Sequence, residues 1–413
     1  MPLKSFALDI SPLKESRAFR YAYAARTASV LVTGMLQVAA GIQIYQLTAS
    51  SLKVALLTVS MMVPMVIALL FGGVLSDRMD RRKLMVWSRS VYAVSVGLFL
   101  LNALLPTPYL GLLYVAAMVG GAASGISIPA MMSATPALVG RHNLAAAAAL
   151  SGLSMQLGGV LGPLVAGVLI QSYGLVWCYV IVLVGVLVTP MLLSALPPLP
   201  PKAHQGPQHN VSQAFIEGFR YMLQNPLLRM LLLIDLGAVV FATPLALLPE
   251  WGATVLGQAP TSTGALYSAP AIGATLMALS SGWIKQLERP GRVIIGAVFV
   301  WGLAIIALSF SRQLATSMMA LALMGGADTV SKMLRMTLVQ HHTPDHYLGR
   351  MSALWMTQSS LGSALGNLQM GALSRFYSPA LAVFVGGCAC TLTAAAFAGT
   401  NNALRRCGFD SSQ

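Results

Sequence analysis

Twelve stretches of largely apolar residues run along the chain, at about 20–47, 51–75, 84–105, 109–138, 144–172, 174–196, 227–256, 262–284, 293–311, 314–340, 349–373 and 379–403. Each is close to or above the length of about 20 residues that a helix needs to cross the hydrocarbon core of a bilayer. The pattern predicts an all-α membrane protein with twelve transmembrane helices. Most connections are short. The exception is 197–226, which opens with Pro197-Pro198-Leu199-Pro200-Pro201 and continues through Lys202, His204, Gly206, Pro207 and His209, a linker composition. The expected organisation is an N-terminal six-helix half over 1–196, a cytoplasmic linker over 197–226 and a C-terminal six-helix half over 227–413.

Composition supports the lipid reading. Of 413 residues, 56% are hydrophobic and 9% charged, with a mean hydropathy of +0.74. A soluble globule could not cover that much apolar side chain with polar surface. The chain also carries 25 Lys and Arg against 11 Asp and Glu, a net +14. In a soluble protein this would suggest nucleic acid, but no basic stretch has the stacking aromatics of an exposed platform, so no nucleic-acid partner is expected. The excess instead reads as topology. With both termini inside, only Lys53, Arg312 and Arg375 fall on external loops, and Arg26, Arg89, Arg229, Lys332 and Arg335 fall within or at the ends of spans; the other seventeen line the cytoplasmic face. Pro2, Asp9, Pro12 and Glu15 interrupt the first twenty residues, which do not read as a secretory signal.

An internal repeat supports the same division. Gly73 lies 209 residues before Gly282, and Gly140-Arg141 lies 209 before Gly349-Arg350. Each Gly-Arg follows a Thr-Pro, Thr135-Pro136 and Thr343-Pro344. Gly158, Gly162 and Gly167 of span 5 recur at the same spacing as Gly362, Gly366 and Gly371 of span 11. Two six-helix halves repeated in parallel are an architecture of secondary transporters.

Spans 2 and 3 are joined by Gly72-Gly73-Val74-Leu75-Ser76-Asp77-Arg78-Met79-Asp80-Arg81-Arg82. This resembles the signature loop of the major facilitator superfamily: glycine, any residue, leucine, any residue, aspartate, arginine, then a basic pair. Gly73 suits a close helix approach. Asp77 suits a helix end, where it bonds backbone amides or an arginine of a neighbouring span, and Arg78, Arg81 and Arg82 hold the cytoplasmic side. In the superfamily this loop stabilises the outward-facing state, so the resemblance implies that charge pairs made and broken here bias alternating access. Asp80 stands where that family usually has glycine. In span 5, Gly158, Gly162, Pro163 and Gly167 resemble the antiporter motif of superfamily exporters. The glycines offer a smooth packing face and Pro163 removes a backbone hydrogen bond. The alternative is generic small-residue packing; span 11 has Asn367 in place of the proline.

Ionisable groups inside spans are costly and mark functional sites by default. Arg26 sits in the first turns of span 1, and Asp235 and Glu250 bracket span 7. Asp328, Lys332 and Arg335 recur at four and three residues along span 10 and share one helical face. Asp328 and Lys332 are spaced to neutralise each other. Where that face instead meets a cavity, Arg26, Lys332 or Arg335 would attract an anionic substrate, and Asp235 or Asp328 would be the proton-exchanging carboxylate. His341, His342 and His346 are interrupted by Pro344 at a cytoplasmic turn and read as a solvated loop rather than a metal site. Cys178, Cys388, Cys390 and Cys407 read as packing residues, and the 23 methionines as pliable core, some of them suited to a large flexible ligand.

Beyond these motifs the chain resembles the enterobactin exporter family over nearly its whole length. The matching stretches include Ala18-Phe19-Arg20 with Ala25-Arg26, Gly72 to Arg78, Asn102-Ala103-Leu104-Leu105-Pro106, Ala134 to Arg141, Gly218-Phe219-Arg220, and Leu348-Gly349-Arg350 with Leu354-Trp355. The resemblance implies a bacterial inner-membrane exporter without a bound cofactor, driven by the proton motive force. It would move a newly made catecholate siderophore from cytoplasm to periplasm, act as a monomer and hand over to an outer-membrane efflux channel. Asp235, Glu250, Asp328 and Lys332 fall where that family is expected to be mostly neutral, which leaves a related siderophore open. Two other classes stay in view. A multidrug exporter of the same fold would prefer acidic cavity residues, against which Arg26 and Lys332 stand; a membrane sensor would lack a proton-coupled carboxylate. No nucleotide-binding loop, metal signature or nucleophile motif points to an enzyme.

Overall fold

The computed structural model describes residues 9–140, 142–200, 211–257 and 260–400, without the side chains of 70, 74, 77, 211–215, 285, 286, 345, 346 and 400. A short α1 (Ser11–Glu15) leads into α2 (Arg17–Thr48), α3 (Ser51–Arg78), α4 (Arg81–Leu104), α5 (Leu110–Val139), α6 (Leu144–Tyr173) and α7 (Leu175–Ser194). The end of the proline-rich stretch holds a helix its composition does not announce, α8 (Val211–Gln224). It is followed by α9 (Pro226–Phe241), a one-turn α10 (Leu248–Glu250), α11 (Pro260–Leu279), α12 (Pro290–Phe310), α13 (Leu314–His341), α14 (Asp345–Phe376) and α15 (Pro379–Thr400). No strand occurs among the described residues.

Among the described residues, nine helical segments are long and apolar enough to cross a membrane. The other three predicted spans fall on α11, α13 and α14, which have the length but more polar residues: Ser262, Thr263 and Ser268; Asp328, Lys332 and Arg335; Gln358, Ser359, Ser363 and Asn367. Each of these three helices lends residues to a cavity described below.

By their contacts the helices gather into two units. Unit 1 comprises residues 1–43 and 60–206; unit 2 comprises 44–59 and 207–413, so the end of α2 and the start of α3 belong with the second.

The interior is mainly apolar, yet some helices also bury polar residues while turning large apolar ones outward. Along α4, Trp87, Val94 and Leu101 are exposed at seven-residue intervals. Ser88, Ser95 and Asn102, one position on, are buried. Outward-facing apolar groups suit lipid, and polar groups on the inner face of α4 find partners there. Ser95 Oγ donates to the Ala116 carbonyl at 2.7 Å. Asn102 accepts from Gln43 Nε2 at 3.1 Å, and Gln43 accepts from the Tyr179 hydroxyl at 2.7 Å.

Lipid tails are as apolar as leucine, so close backbone approach has to hold the helices together. In unit 1, α2 and α6 interlock through glycine. A Cβ at Gly162 would lie 2.6 Å from the Leu31 carbonyl oxygen, and one at Gly34 would lie 3.1 Å from Pro163 Cδ. In unit 2 the same role falls to the repeat-related Gly366, where a Cβ would collide with the Val239 carbonyl of α9. The glycine repeat thus marks one packing device used twice. At the other repeat pair the halves diverge: Gly140 ends α5 with φ +73°, whereas Gly349 sits inside α14.

Candidate transport site

The seventh apolar stretch, expected as one span over 227–256, is broken. Helix α9 ends at Phe241; a 3-10 turn follows at Leu245–Leu247, then α10, then a π-turn at Trp251–Val255. Pro244 accounts for the break, since it lacks an N–H and disfavours the helical conformation at Thr243. Irregular backbone at membrane depth survives only where protein groups satisfy it. Here the Ala246 N–H donates to Asn367 Oδ1 at 2.7 Å and the Trp301 indole donates to the Ala242 carbonyl at 2.9 Å. Asn367, which departs from the proline of span 5, is the residue that satisfies the break.

A cavity of about 250 Å³ opens beside this break, within unit 2. Thr243 and Leu245 line it at the broken end, Pro270 from α11, Trp301 from α12, Asp328 and Lys332 from α13, and Ser359 and Ser363 from α14. Interrupted helices at such a place form the binding sites of many secondary transporters. The lining combines an aromatic ring, aliphatic surface, hydroxyls and one carboxylate–ammonium pair.

The charges of α13 are paired. Lys332 Nζ lies 3.1 Å from Asp328 Oδ2, one turn away on the cavity-lining face. Arg335 turns from the cavity and forms an ion pair with Asp235 of α9, both side chains 4% exposed. Arg335 also lies 5.9 Å over the Trp355 ring. The shared helical face expected for the three α13 charges therefore splits: two face the cavity, and the third closes against α9. Glu250, on α10, accepts hydrogen bonds from the hydroxyls of Ser51 and Ser374.

Unit 1 carries the other expected residues. Arg26 is half-buried on α2. Near the end of α3, a Cβ on Gly73 would meet nothing within 4 Å, whereas one on Gly72 would lie 2.9 Å from Ile126 Cα, so Gly72 makes the close approach to α5. Asp77 falls within α3, its side chain outside the described residues, and Arg78 ends that helix. Asp80 caps α4, its carboxylate accepting from the N–H groups of Arg82 at 2.8 Å and Lys83 at 3.3 Å. At φ −58° the position has no need of the glycine common there. Arg81 is buried, and its N–H donates to the Leu199 carbonyl at 3.0 Å. Gly158, Gly162, Pro163 and Gly167 are all buried in α6. The Gly158 position faces Val30, with 2.5 Å between a built Cβ and the Val30 side chain.

Three features of the site go beyond the sequence expectations: the Thr243-Pro244 break, the serine partners of Glu250, and the part played by Arg89, placed in a span but not singled out, which donates from Nη1 to Ser29 Oγ at 2.7 Å. Pro244 and the position of Arg89 nine residues into α4 were the available signals. Cys390 packs as expected, its thiol 3.6 Å from the Val298 carbonyl; Arg141 and Cys407, and the side chain of His346, lie outside the described residues.

Comparison with known proteins agrees with this arrangement. The chain is 33% identical over 389 residues to a protein named enterobactin exporter EntS from Salmonella typhimurium (strain LT2), covering 94% of this chain and 93% of that one. It is also 33% identical over 387 residues to the protein of that name from Citrobacter koseri, covering 94% and 92%. A mutant form of the nucleoside transporter NupG superposes with a TM-score of 0.77 at 10% identity, over 93% of this chain and 99% of that one, which shows a shared fold. The model of the Major Facilitator Superfamily matches residues 22–367. With that match and relatives alike along nearly their full length, this multi-pass membrane chain belongs to the Major Facilitator Superfamily.

Proposed function

We propose that the protein is a secondary active exporter of the bacterial inner membrane that moves an enterobactin-like catecholate siderophore from cytoplasm to periplasm in exchange for protons. The observation that carries this reading is the similarity, along nearly the whole chain, to relatives named as enterobactin exporters. The cavity agrees in chemistry. Its volume of about 250 Å³ falls below the roughly 300–1,000 Å³ that encloses a drug-sized ligand, so unit 2 alone accommodates one aromatic arm of a large ligand. Trp301 and Pro270 suit the ring of a catechol, and Thr243, Ser359 and Ser363 its hydroxyls.

Proton exchange requires a carboxylate within reach of water. Asp328 lines the cavity with a side chain 26% exposed, and Asp235 is enclosed with Arg335. Asp328 is therefore the better placed of the two expected carboxylates. Protonating it would release Lys332, so proton and anionic substrate would compete for the same pair. In this reading the protein works as a monomer, with both termini cytoplasmic, and delivers to an outer-membrane efflux channel.

Deleting the gene in a strain without a redundant exporter is expected to lower catecholate siderophore in iron-starved medium severalfold, with a matching rise inside the cells. Unchanged secretion, measured by chromatography of the medium, would overturn the reading. Unchanged secretion together with new sensitivity to lipophilic cations would favour a multidrug exporter.

A further inference from the structure

A second charged feature lies in unit 1, with no ion-pair partner described for it. Arg26 is the tenth residue of α2 and Arg89 the ninth of α4. At about 1.5 Å per residue, both lie roughly 12–14 Å from the starts of their helices. Arg89 also reaches α2 close to Arg26: it donates to Ser29, one turn along that helix. The Arg89 guanidinium lies 5.9 Å over the ring of buried Tyr92, whose hydroxyl is 3.4 Å from Thr33 Oγ1. Arg26 Nε is buried without a hydrogen-bond partner. Both arginines are half-buried rather than sealed.

Two like charges at membrane depth repel and need compensation. Between Glu15 and Glu217 the chain has only two carboxylates, Asp77 and Asp80. Asp80 is engaged at the start of α4, and the Asp77 side chain lies outside the described residues. Unit 2 differs, since Lys332 and Arg335 each face a carboxylate of their own. A guanidinium offers a planar fork of donors that matches a carboxylate or a pair of adjacent phenolic oxygens.

We propose that Arg26 and Arg89, with Ser29 and Tyr92, form an oxyanion-binding subsite for the carboxylate of an acidic aromatic ligand, a catechol carboxylate. It rests on the reading of the substrate as a catecholate siderophore and names the part of the protein that holds the substrate's charge. Tyr92 backs one face of Arg89, and Ser29 fixes one arm of its fork. The remaining donors, with those of Arg26, are left for the ligand.

The test is binding of 2,3-dihydroxybenzoate and its uncharged analogue 2,3-dihydroxybenzamide to the purified full-length protein in nanodiscs, by calorimetry. The wild type is expected to prefer the anion by about tenfold or more, in line with a charge-assisted bidentate contact. Arg26→Gln and Arg89→Gln should reduce that preference to below about twofold while binding the amide as before, and Arg89→Lys should keep part of it. Should the glutamine variants fail to fold, phenylglyoxal labelling of the wild type provides the same decision. The benzoate, and not the amide, is expected to protect Arg26 and Arg89, as read by peptide mass spectrometry. Equal binding of the two probes, an unchanged preference in folded variants, or unprotected arginines would overturn the subsite. A protein that keeps the anion preference but transports no catecholate siderophore would overturn the exporter reading instead.

Discussion

Asp235→Asn is expected to destabilise the protein by about 3–5 kcal/mol, the usual consequence of removing one partner from a buried ion pair. Asp235 and Arg335 are each 4% exposed. With the carboxylate gone, the guanidinium keeps only the Trp355 ring, 5.9 Å away, as a described electrostatic partner. Arg335→Gln should cost a similar amount by stranding the carboxylate. The double variant Asp235→Asn with Arg335→Gln removes both charges at once and should recover most of the loss, because the pair's attraction largely repays its own desolvation. Thermal unfolding in detergent is the measurement, with the single variants melting at least about 5 °C below wild type. A double variant as unstable as either single one would show that charge compensation is not what the pair provides. Transport by a stable double variant would further show that proton exchange lies elsewhere, at Asp328 in this account.

The second large effect is steric. A Cβ at Gly162 would lie 2.6 Å from the Leu31 carbonyl oxygen, 3.2 Å from Gly34 Cα and 3.3 Å from the Met35 nitrogen. All three are backbone atoms and cannot rotate away. Gly162→Val therefore forces α2 and α6 apart, at a cost of about 1–3 kcal/mol or more. The same helix supplies its control. Gly152 is exposed, and a Cβ there meets nothing within 4 Å, so Gly152→Val should leave stability and transport nearly unchanged. The repeat predicts a matching pair of outcomes in unit 2, where Gly366→Val should disrupt α14 against α9 as Gly162→Val disrupts α6 against α2. Fluorescence-detected size exclusion of each variant reads the result, and a well-folded Gly162→Val protein would contradict the interlock.

These two cases show what a single chain makes legible. The helices were readable because lipid demands length and apolarity together, and the glycine repeat because close approach admits only small residues. Part of the polarity of α13 and α14 has a reason that only the structure shows, since Asp328, Lys332, Ser359 and Ser363 line the cavity. The break after Phe241 was signalled by Pro244, but the run of apolar residues around it hides the interruption. Pairing was the least legible. The four-residue spacing of Asp328 and Lys332 is visible in sequence, whereas Asp235 and Arg335 stand a hundred residues apart and meet only through the tertiary fold. Asp80 reads as a departure from a glycine-containing loop, yet its carboxylate caps α4 and its backbone is ordinary.

Electrostatics then separates the units by role. In unit 2 the charges of α13 are neutralised in pairs, one of them open to the cavity; unit 1 holds Arg26 and Arg89 beside hydroxyls. An acidic aromatic ligand suits the second, and a proton suits the first. Under the proposed function, occupancy of one would change the cost of the other, which is the coupling expected of an alternating-access antiporter.

The most direct test is transport by the purified protein alone. Reconstituted into vesicles with its cytoplasmic face outward and an acidic interior, it should accumulate iron-free enterobactin several-fold above protein-free vesicles. Collapsing the proton gradient should abolish that accumulation. No accumulation of enterobactin under a maintained gradient, in vesicles that do accumulate the lipophilic cation ethidium, would contradict the account.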